Sequence, residues 1–260
     1  MVKDIIIYPV KSLGGSSKNQ WEATPIGFRY DRQWLLVDED NHFITQREIP
    51  KLSLFSCDIE EDQVVVSFQN VKFSWPIDQV GKKIQTVKIW NDNAEVVDVD
   101  PKVNTFFSDI LNKKLFLVKQ NSELSRQHFV KSWNKSINVS LADGYPYLIL
   151  GTKSLSLLNS RLEKSLEFNR FRPNIVIETK EAHEEDFYKN VGIGEVKFTN
   201  VKPCARCQII NIDQSQGTLH KEPLQTLSKY RKFDNNVFFG TNMTCTKGGV
   251  VSVGNQVFLY

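Results

Sequence analysis

The run Lys202-Pro203-Cys204-Ala205-Arg206-Cys207 holds two thiols three residues apart, the strongest chemical signal in the chain. A thiolate is a soft metal ligand and a nucleophile, and a neighbouring cation lowers the pKa at which it forms. Arg206 stands directly before Cys207, which suits that thiol to a soft metal centre. A bare CxxC also serves zinc sites and redox dithiols, or nothing at all. Structural zinc takes four protein ligands, yet the chain has no second CxxC and no HxxxH, and His42, His128, His183 and His220 are scattered. A thioredoxin-like dithiol opens a helix in a βαβ unit. Here the flanks are a Val-rich strand ending at Val201 and the segment Gln208-Ile209-Ile210-Asn211-Ile212.

Anion chemistry is the second signal. Tyr8-Pro9-Val10-Lys11-Ser12-Leu13-Gly14-Gly15 runs a strand into a glycine pair beside an ammonium and a hydroxyl, a turn able to present N–H, ammonium and hydroxyl donors to a phosphate. It lacks the GxxxxGK[ST] of a P-loop, so an ordinary turn stays open as a reading. Tyr30-Asp31-Arg32-Gln33-Trp34 and Phe171-Arg172-Pro173-Asn174 each set an arginine among aromatics. Arg32 could pair with Asp31 or stack on Trp34, and Arg172 could snorkel. The planar fork of arginine is nevertheless the side chain best matched to a buried phosphate.

The elements that must position these groups read as mainly β. Trp34 to Asp38, Gln63 to Phe68, Val87 to Trp90, Ala94 to Val99, Leu115 to Lys119 and Gly194 to Val201 are short, β-branched and aromatic runs bounded by turn residues. Three segments read as helices: from Asp100-Pro101 through Leu111, from Thr152 or Ser154 to about Lys164, and from Pro223 to Arg231. The pattern changes around the polar stretch Asn121 to His128, and a domain boundary is set near residue 120, with the first unit free to lend strands to the second. The chain has 260 residues, 40% hydrophobic and 24% charged, enough for a large core without staples. A net charge of +3 without a basic run gives no reason to expect nucleic acid or an anionic membrane. Ile5-Ile6-Ile7-Tyr8 is too short for a signal or spanning segment, and four unevenly spaced cysteines make no disulfide framework, so a cytoplasmic protein is expected.

Read together, these pieces resemble one family. Tyr8-Pro9-Val10-Lys11-Ser12, Tyr30-Asp31-Arg32-Gln33-Trp34 and Thr45-Gln46-Arg47-Glu48-Ile49-Pro50-Lys51-Leu52 look like the N-terminal β-barrel domain that accompanies MOSC domains. Asn159-Ser160-Arg161-Leu162, Phe171-Arg172-Pro173-Asn174-Ile175-Val176, Cys204-Ala205-Arg206-Cys207 and Lys221-Glu222-Pro223-Leu224-Gln225-Thr226-Leu227 look like the MOSC domain. The ordered set spans almost the whole chain and is similar to the amidoxime-reducing components and their bacterial counterparts, which reduce N-hydroxylated compounds. The resemblance implies an N-terminal MOSC-type β-barrel domain (residues 1–120) packed on a C-terminal MOSC β-barrel with a few helices (residues 121–260), and a molybdenum cofactor between them. Cys207, by its place in the motif, would be the metal ligand, at the catalytic centre. Lys11, Ser12, Arg32 and Arg172 match positions that hold the pterin and phosphate end, Asn174 is carried over with them, and Arg206 adjoins the ligand.

The implied reaction is reduction of an N–O bond in a small molecule such as a hydroxylamine or amidoxime, the oxygen leaving as water; Asp143, beside Gly144-Tyr145-Pro146, is the guess for a proton donor. Thr241-Asn242 follow Phe239-Gly240 where the family carries an aromatic, so no pterin contact is assigned there. The membrane anchor of eukaryotic relatives is not read in this chain, and neither is the CxxxxCxxC of an appended ferredoxin domain. Electrons are thus expected from a separate ferredoxin or flavoprotein reductase. A cofactor carrier or sulfur-handling protein is the alternative, since MOSC domains also end cofactor sulfurases; a structural β protein with a fortuitous CxxC is the other.

Overall fold

The computed structural model describes residues 1–122 and 126–260; the middle of the polar stretch at the expected boundary, residues 123–125, lies outside the described residues. The mainly β class holds, and the largest element is a nine-stranded sheet. Its order runs Ser16–Ser17, Val2–Ile7, Ile175–Ile177, Tyr147–Gly151, Asn236–Lys247, Val196–Arg206, Asn190–Ile193 and Val257–Leu259, with Lys232–Phe233 also on the long strand Asn236–Lys247. The first strands of the chain therefore lie in the sheet of its C-terminal half. Gln20–Thr24 likewise pairs with Gly249–Ser252, so hydrogen bonding crosses the boundary set near residue 120.

Tyr147–Gly151 and Ile175–Ile177 are parallel, a pairing that two-residue hairpins cannot make and that needs a crossover. Helix Thr152–Asn159 opens the crossover, burying Leu155 and Leu158 against Phe171, Leu227 and Phe239. It stops short of the Lys164 expected from sequence, because Ser160 caps it, and Leu162 packs on the same cluster from beyond the helix end.

The N-terminal half adds a four-stranded sheet of Trp34–Val37, Phe116–Gln120, Asp92–Asp98 and Ile84–Ile89, and a meander of Phe55–Glu60, Gln63–Phe68 and Val71–Pro76. Helix Pro101–Leu111 closes on the meander. Its start is set by Asp100, whose carboxylate accepts from Lys102 N at 2.7 Å, and by Pro101 at a position where a missing N–H costs nothing. Its end is the left-handed Asn112. Phe106 and Phe107 pack on Phe55 at ring-centroid distances of 6.3 and 5.5 Å. One buried core joins both halves, from Ile5, Trp34, Phe55 and Phe107 to Tyr147, Phe198 and Met243. Strand pairing among the described residues leaves every sheet open. The two barrels implied by the resemblance are thus open sheets folded over this shared core.

The third helix, Leu224–Arg231, faces a buried histidine. His183 is 9% exposed and lies between the rings of Tyr230 and Phe239, 5.9 Å from each, and neither ring nitrogen has a partner among the described residues. Burial first, then Arg231 and Arg161, lowers its pKa to about 4. A histidine that is harder to protonate folded than unfolded contributes a penalty that grows as pH falls through the unfolded value near 6.5 and levels off below about 4. The full penalty is about 3 kcal/mol. Thermal unfolding measured from pH 7 to pH 4 should therefore show a loss of stability that His183→Phe largely removes; equal acid loss in both proteins would refute the assignment.

Candidate functional site

Pro203 has no N–H to give a ladder, and strands accept such a residue at irregularities. Pairing of Val196–Arg206 with Asn236–Lys247 shifts register between Asn200 and Lys202 and again between Pro203 and Ala205. The strand thereby passes the expected stop at Val201 and continues to Arg206. Cys207 then begins a single 3-10 turn, Gln208–Asn211, where the sequence reading had no helical element.

Side chains two apart on a strand share a face. Arg206 accordingly turns to Cys204, donating from Nη1 to Sγ at 3.1 Å, and from Nη2 to the carbonyl of Phe171 at 2.7 Å. It is not the cation beside Cys207, as the sequence order suggested. That cation is Arg47, far off in sequence, whose Nη2 donates to Cys207 Sγ at 3.2 Å. Arg47 stacks on Trp90 with its guanidinium carbon 4.7 Å from the ring centroid, and sits 3.8 Å from an oxygen of Asp143.

On the opposite wall, the buried ring of Tyr8 lies between two guanidinium groups, Arg32 and Arg172, each 4.3 Å from its centroid. Arg32 Nη1 donates to Asp31 at 2.5 Å and to Asn174 Oδ1 at 3.0 Å, and its Nη2 to the Arg172 carbonyl at 3.3 Å. Asp31 is fully buried. Desolvation raises its pKa while Arg32 and the Tyr8 N–H pull the other way. Arg172 donates to the Leu13 carbonyl at 2.6 Å. Asn174 ties the wall to the sheet through Ile6 and Leu148. Ser12, Arg32 and Arg172 all have left-handed backbone, with φ of 71°, 50° and 56°. That conformation costs a non-glycine residue roughly 1–2 kcal/mol, and such strain gathers at functional sites.

Lys11 bridges the walls. Its Nζ donates to Asp143 at 2.7 Å and to the Leu141 carbonyl at 2.9 Å, and burial lowers its pKa to about 8 against the raising pull of Asp143. For Asp143 burial acts upward, but Lys11, Arg47 and the Trp90 indole N–H, 3.1 Å away, outweigh it and hold the carboxyl below the usual range. Asp143 accepts hydrogen bonds from Lys11 and from the Trp90 indole, an environment that favours the carboxylate over the proton donor guessed from sequence.

Both thiols, Arg47, Trp90, Asp143, Lys11 and the two guanidinium groups of Arg32 and Arg172 open onto one cleft of about 420 Å³, with Tyr8 and Asp31 packed behind its wall. Lys11, Ser12, Arg32, Arg172, Asn174, Arg206 and Cys207, each singled out in the sequence, line it. Lys11, Arg32, Arg47, Arg172, Lys202 and Arg206 bring six cationic side chains to it against the single carboxylate of Asp143, so the cleft is a focus of positive potential suited to an anion. Sequence reading missed Arg47, which lay inside a quoted segment without a role, and Trp90 and His128, which carried no local signal. Asn242, at the position where no contact was assigned, also faces the cleft.

Known proteins match the chain over almost its full length. The family model of the MOSC N-terminal beta barrel domain matches residues 1–114, and that of the MOSC domain residues 136–258. Mitochondrial amidoxime reducing component 2 of Bos taurus is 31% identical over 277 residues, covering 99% of this chain and 82% of that protein. The chain belongs to the MOSC family. Among further relatives of this MOSC protein, mitochondrial amidoxime-reducing component 1 of Danio rerio is 30% identical, covering 99% of the chain and 84% of the relative. A molybdenum cofactor sulfurase of Oryza sativa subsp. japonica is 31% identical over 92% of the chain, and the MOSC protein spans 32% of that longer relative. No helix among the described residues of the MOSC protein is long and apolar enough to cross a membrane.

Proposed function

We propose that this MOSC protein binds a molybdenum cofactor in the cleft and reduces N-hydroxylated compounds such as hydroxylamines and amidoximes, using electrons from a separate donor protein. The observation that carries the reading is the convergence of Cys207 with Arg32, Arg172 and Lys11 on one cationic cleft, in a chain whose full-length relatives are named amidoxime reducing components. The donor set fits the cofactor. A molybdenum centre would take a sulfur ligand from the protein, and Cys207 offers an exposed free thiol. Its phosphate calls for forked cations, and Arg172 spends only Nη1 on the protein. Two buried guanidinium nitrogens at the cleft, Arg47 Nη1 and Arg206 Nε, lack partners among the described residues; buried polar groups of that kind are normally satisfied by a ligand or water.

In this reading Cys207 ligates the metal, Arg32 and Arg172 with Ser12 and Asn174 hold the pterin and phosphate end, and Arg206 holds Cys204 aside. The cofactor supplies the two-electron chemistry, while the protein supplies position and field. Arg47 keeps the Cys207 sulfur in place from the far wall. Ionised Asp143 fixes Lys11 and Arg47 at once.

Electron supply gives a direct test. The chain has four cysteines, of which Cys57 and Cys245 are buried, and no GxGxxG after a strand, so it offers neither an iron–sulfur cradle nor a nicotinamide site. Molybdenum-loaded protein should not reduce benzamidoxime with NADH alone, but should do so with a reduced dye or a ferredoxin or flavoprotein reductase. Turnover with NADH alone would overturn the separate-donor reading. A second reading, a carrier or sulfur-handling protein, is favoured by the sulfurase match over 92% of the chain; loaded protein inactive with every donor would select it.

A further inference from the structure

His128 lies on strand Gln127–Val130 and lines the same cleft, with its side chain one-quarter exposed. Its Nδ1 is 2.8 Å from Asp92 Oδ2. A carboxylate only accepts, so the Nδ1 position carries the proton and Nε2 is the nitrogen left to the cleft. Asp92 is itself fixed: Arg126 Nη2 donates to the same oxygen at 2.9 Å. Arg126 is fully buried and also holds the carbonyls of Ser140 and Asp143, each at 2.9 Å, together with that of Ala142. One guanidinium thus locks the imidazole's orienting carboxylate and the loop that presents Asp143 to Lys11. The Tyr145 ring meets the imidazole edge-on at 5.3 Å, and Gly144, with no side chain, passes beside Nε2.

An imidazole steered by a partly buried carboxylate, with its second nitrogen facing the cleft, is the arrangement of a general acid. Asp143 is excluded from that role by its ion pairs. We propose that His128 is a catalytic proton donor for N–O reduction, with Asp92 and Arg126 as its positioning residues; this rests on the reductase reading. The N–O bond of the hydroxylamine or amidoxime breaks, two protons are taken up, and the two electrons come from the donor protein, which the cofactor, when bound, would relay. His128 Nε2–H delivers a proton to the departing oxygen, which leaves as water, and is reprotonated from solvent for the second. The charged and titratable groups around the imidazole are Asp92 at its Nδ1, Arg126 behind Asp92, Tyr145 at its edge, and Asp143 and Lys202, which line the same cleft.

The test uses molybdenum-loaded, pre-reduced protein mixed with benzamidoxime in a single turnover, followed by reoxidation of the centre across pH. The wild-type rate should fall as pH rises. His128→Gln should be slower by roughly 10²–10⁴-fold, the usual worth of a positioned acid, and should lose the descending limb, while benzamidoxime binding measured by calorimetry stays unchanged. Asp92→Asn should show an intermediate loss, and ¹⁵N spectra should report Nδ1–H in wild-type imidazole. His128→Gln turning over at the wild-type rate with the limb intact would overturn the proposal. A wild-type protein that never cleaves N–O would overturn the reductase reading, and this one with it.

Discussion

Replacing Cys207 by alanine is expected to abolish molybdenum-dependent reduction while the fold survives. The side chain is exposed and caps a single 3-10 turn, and its Sγ has one polar partner among the described residues, Arg47 at 3.2 Å. Nothing in the core rests on it, so its loss falls on the metal. Cys204 is held differently, half-buried and paired with Arg206 at 3.1 Å. Cys204→Ala should keep most activity. Molybdenum content, activity with a dye donor and thermal midpoint, measured together on both variants, check this. Equal loss from the two substitutions would replace the single-ligand assignment with a paired-thiol site.

Arg172→Ala should lower cofactor retention by about one to two decades in affinity, the usual cost of roughly 1.5–3 kcal/mol for removing one charge-assisted hydrogen bond. The fold should tolerate this change, because the Arg172 side chain gives one hydrogen bond among the described residues, to the Leu13 carbonyl. Arg32→Ala should cost retention and stability together. Arg32 is the cation paired with Asp31, which is 1% exposed, and a buried charge stripped of its partner destabilises by about 3–5 kcal/mol. Lys11→Ala should also weaken retention, by freeing Asp143 from its strongest restraint. Cofactor content after gel filtration, read beside thermal melting, separates the two effects. An Arg172→Ala protein with full cofactor occupancy would remove the phosphate role from that residue.

Much of this site was legible because its chemistry sits in short local motifs. The turn around Lys11-Ser12, the Asp31-Arg32 pair, Phe171-Arg172-Pro173-Asn174 and the CxxC each announce themselves within a few residues, and all four meet at one cleft. Helix Pro101–Leu111 was readable for the same reason, from a cap, an N1 proline and one apolar face. What escaped depends on contacts between distant segments. Arg47 reaches Cys207 across 160 positions, and Asp92 orients His128 across 36; no periodicity encodes such pairs. Sequence adjacency points to Arg206 as the charge beside Cys207, but in space that charge is Arg47. On a strand, Arg206 faces Cys204 instead, and a bulge at Pro203 carries that strand further than its apolar pattern suggests. The open sheets, too, follow from long-range pairing, with Val2–Ile7 inserted beside Ile175–Ile177.

The central claim is that this cleft holds a molybdenum cofactor through Cys207. Elemental analysis of wild-type and Cys207→Ala protein, both purified from a host competent in cofactor synthesis, tests it most directly. Stoichiometric molybdenum in the wild-type protein, lost together with activity in Cys207→Ala, is the predicted result. Wild-type protein free of molybdenum, or a Cys207→Ala protein that keeps both metal and activity, would contradict it.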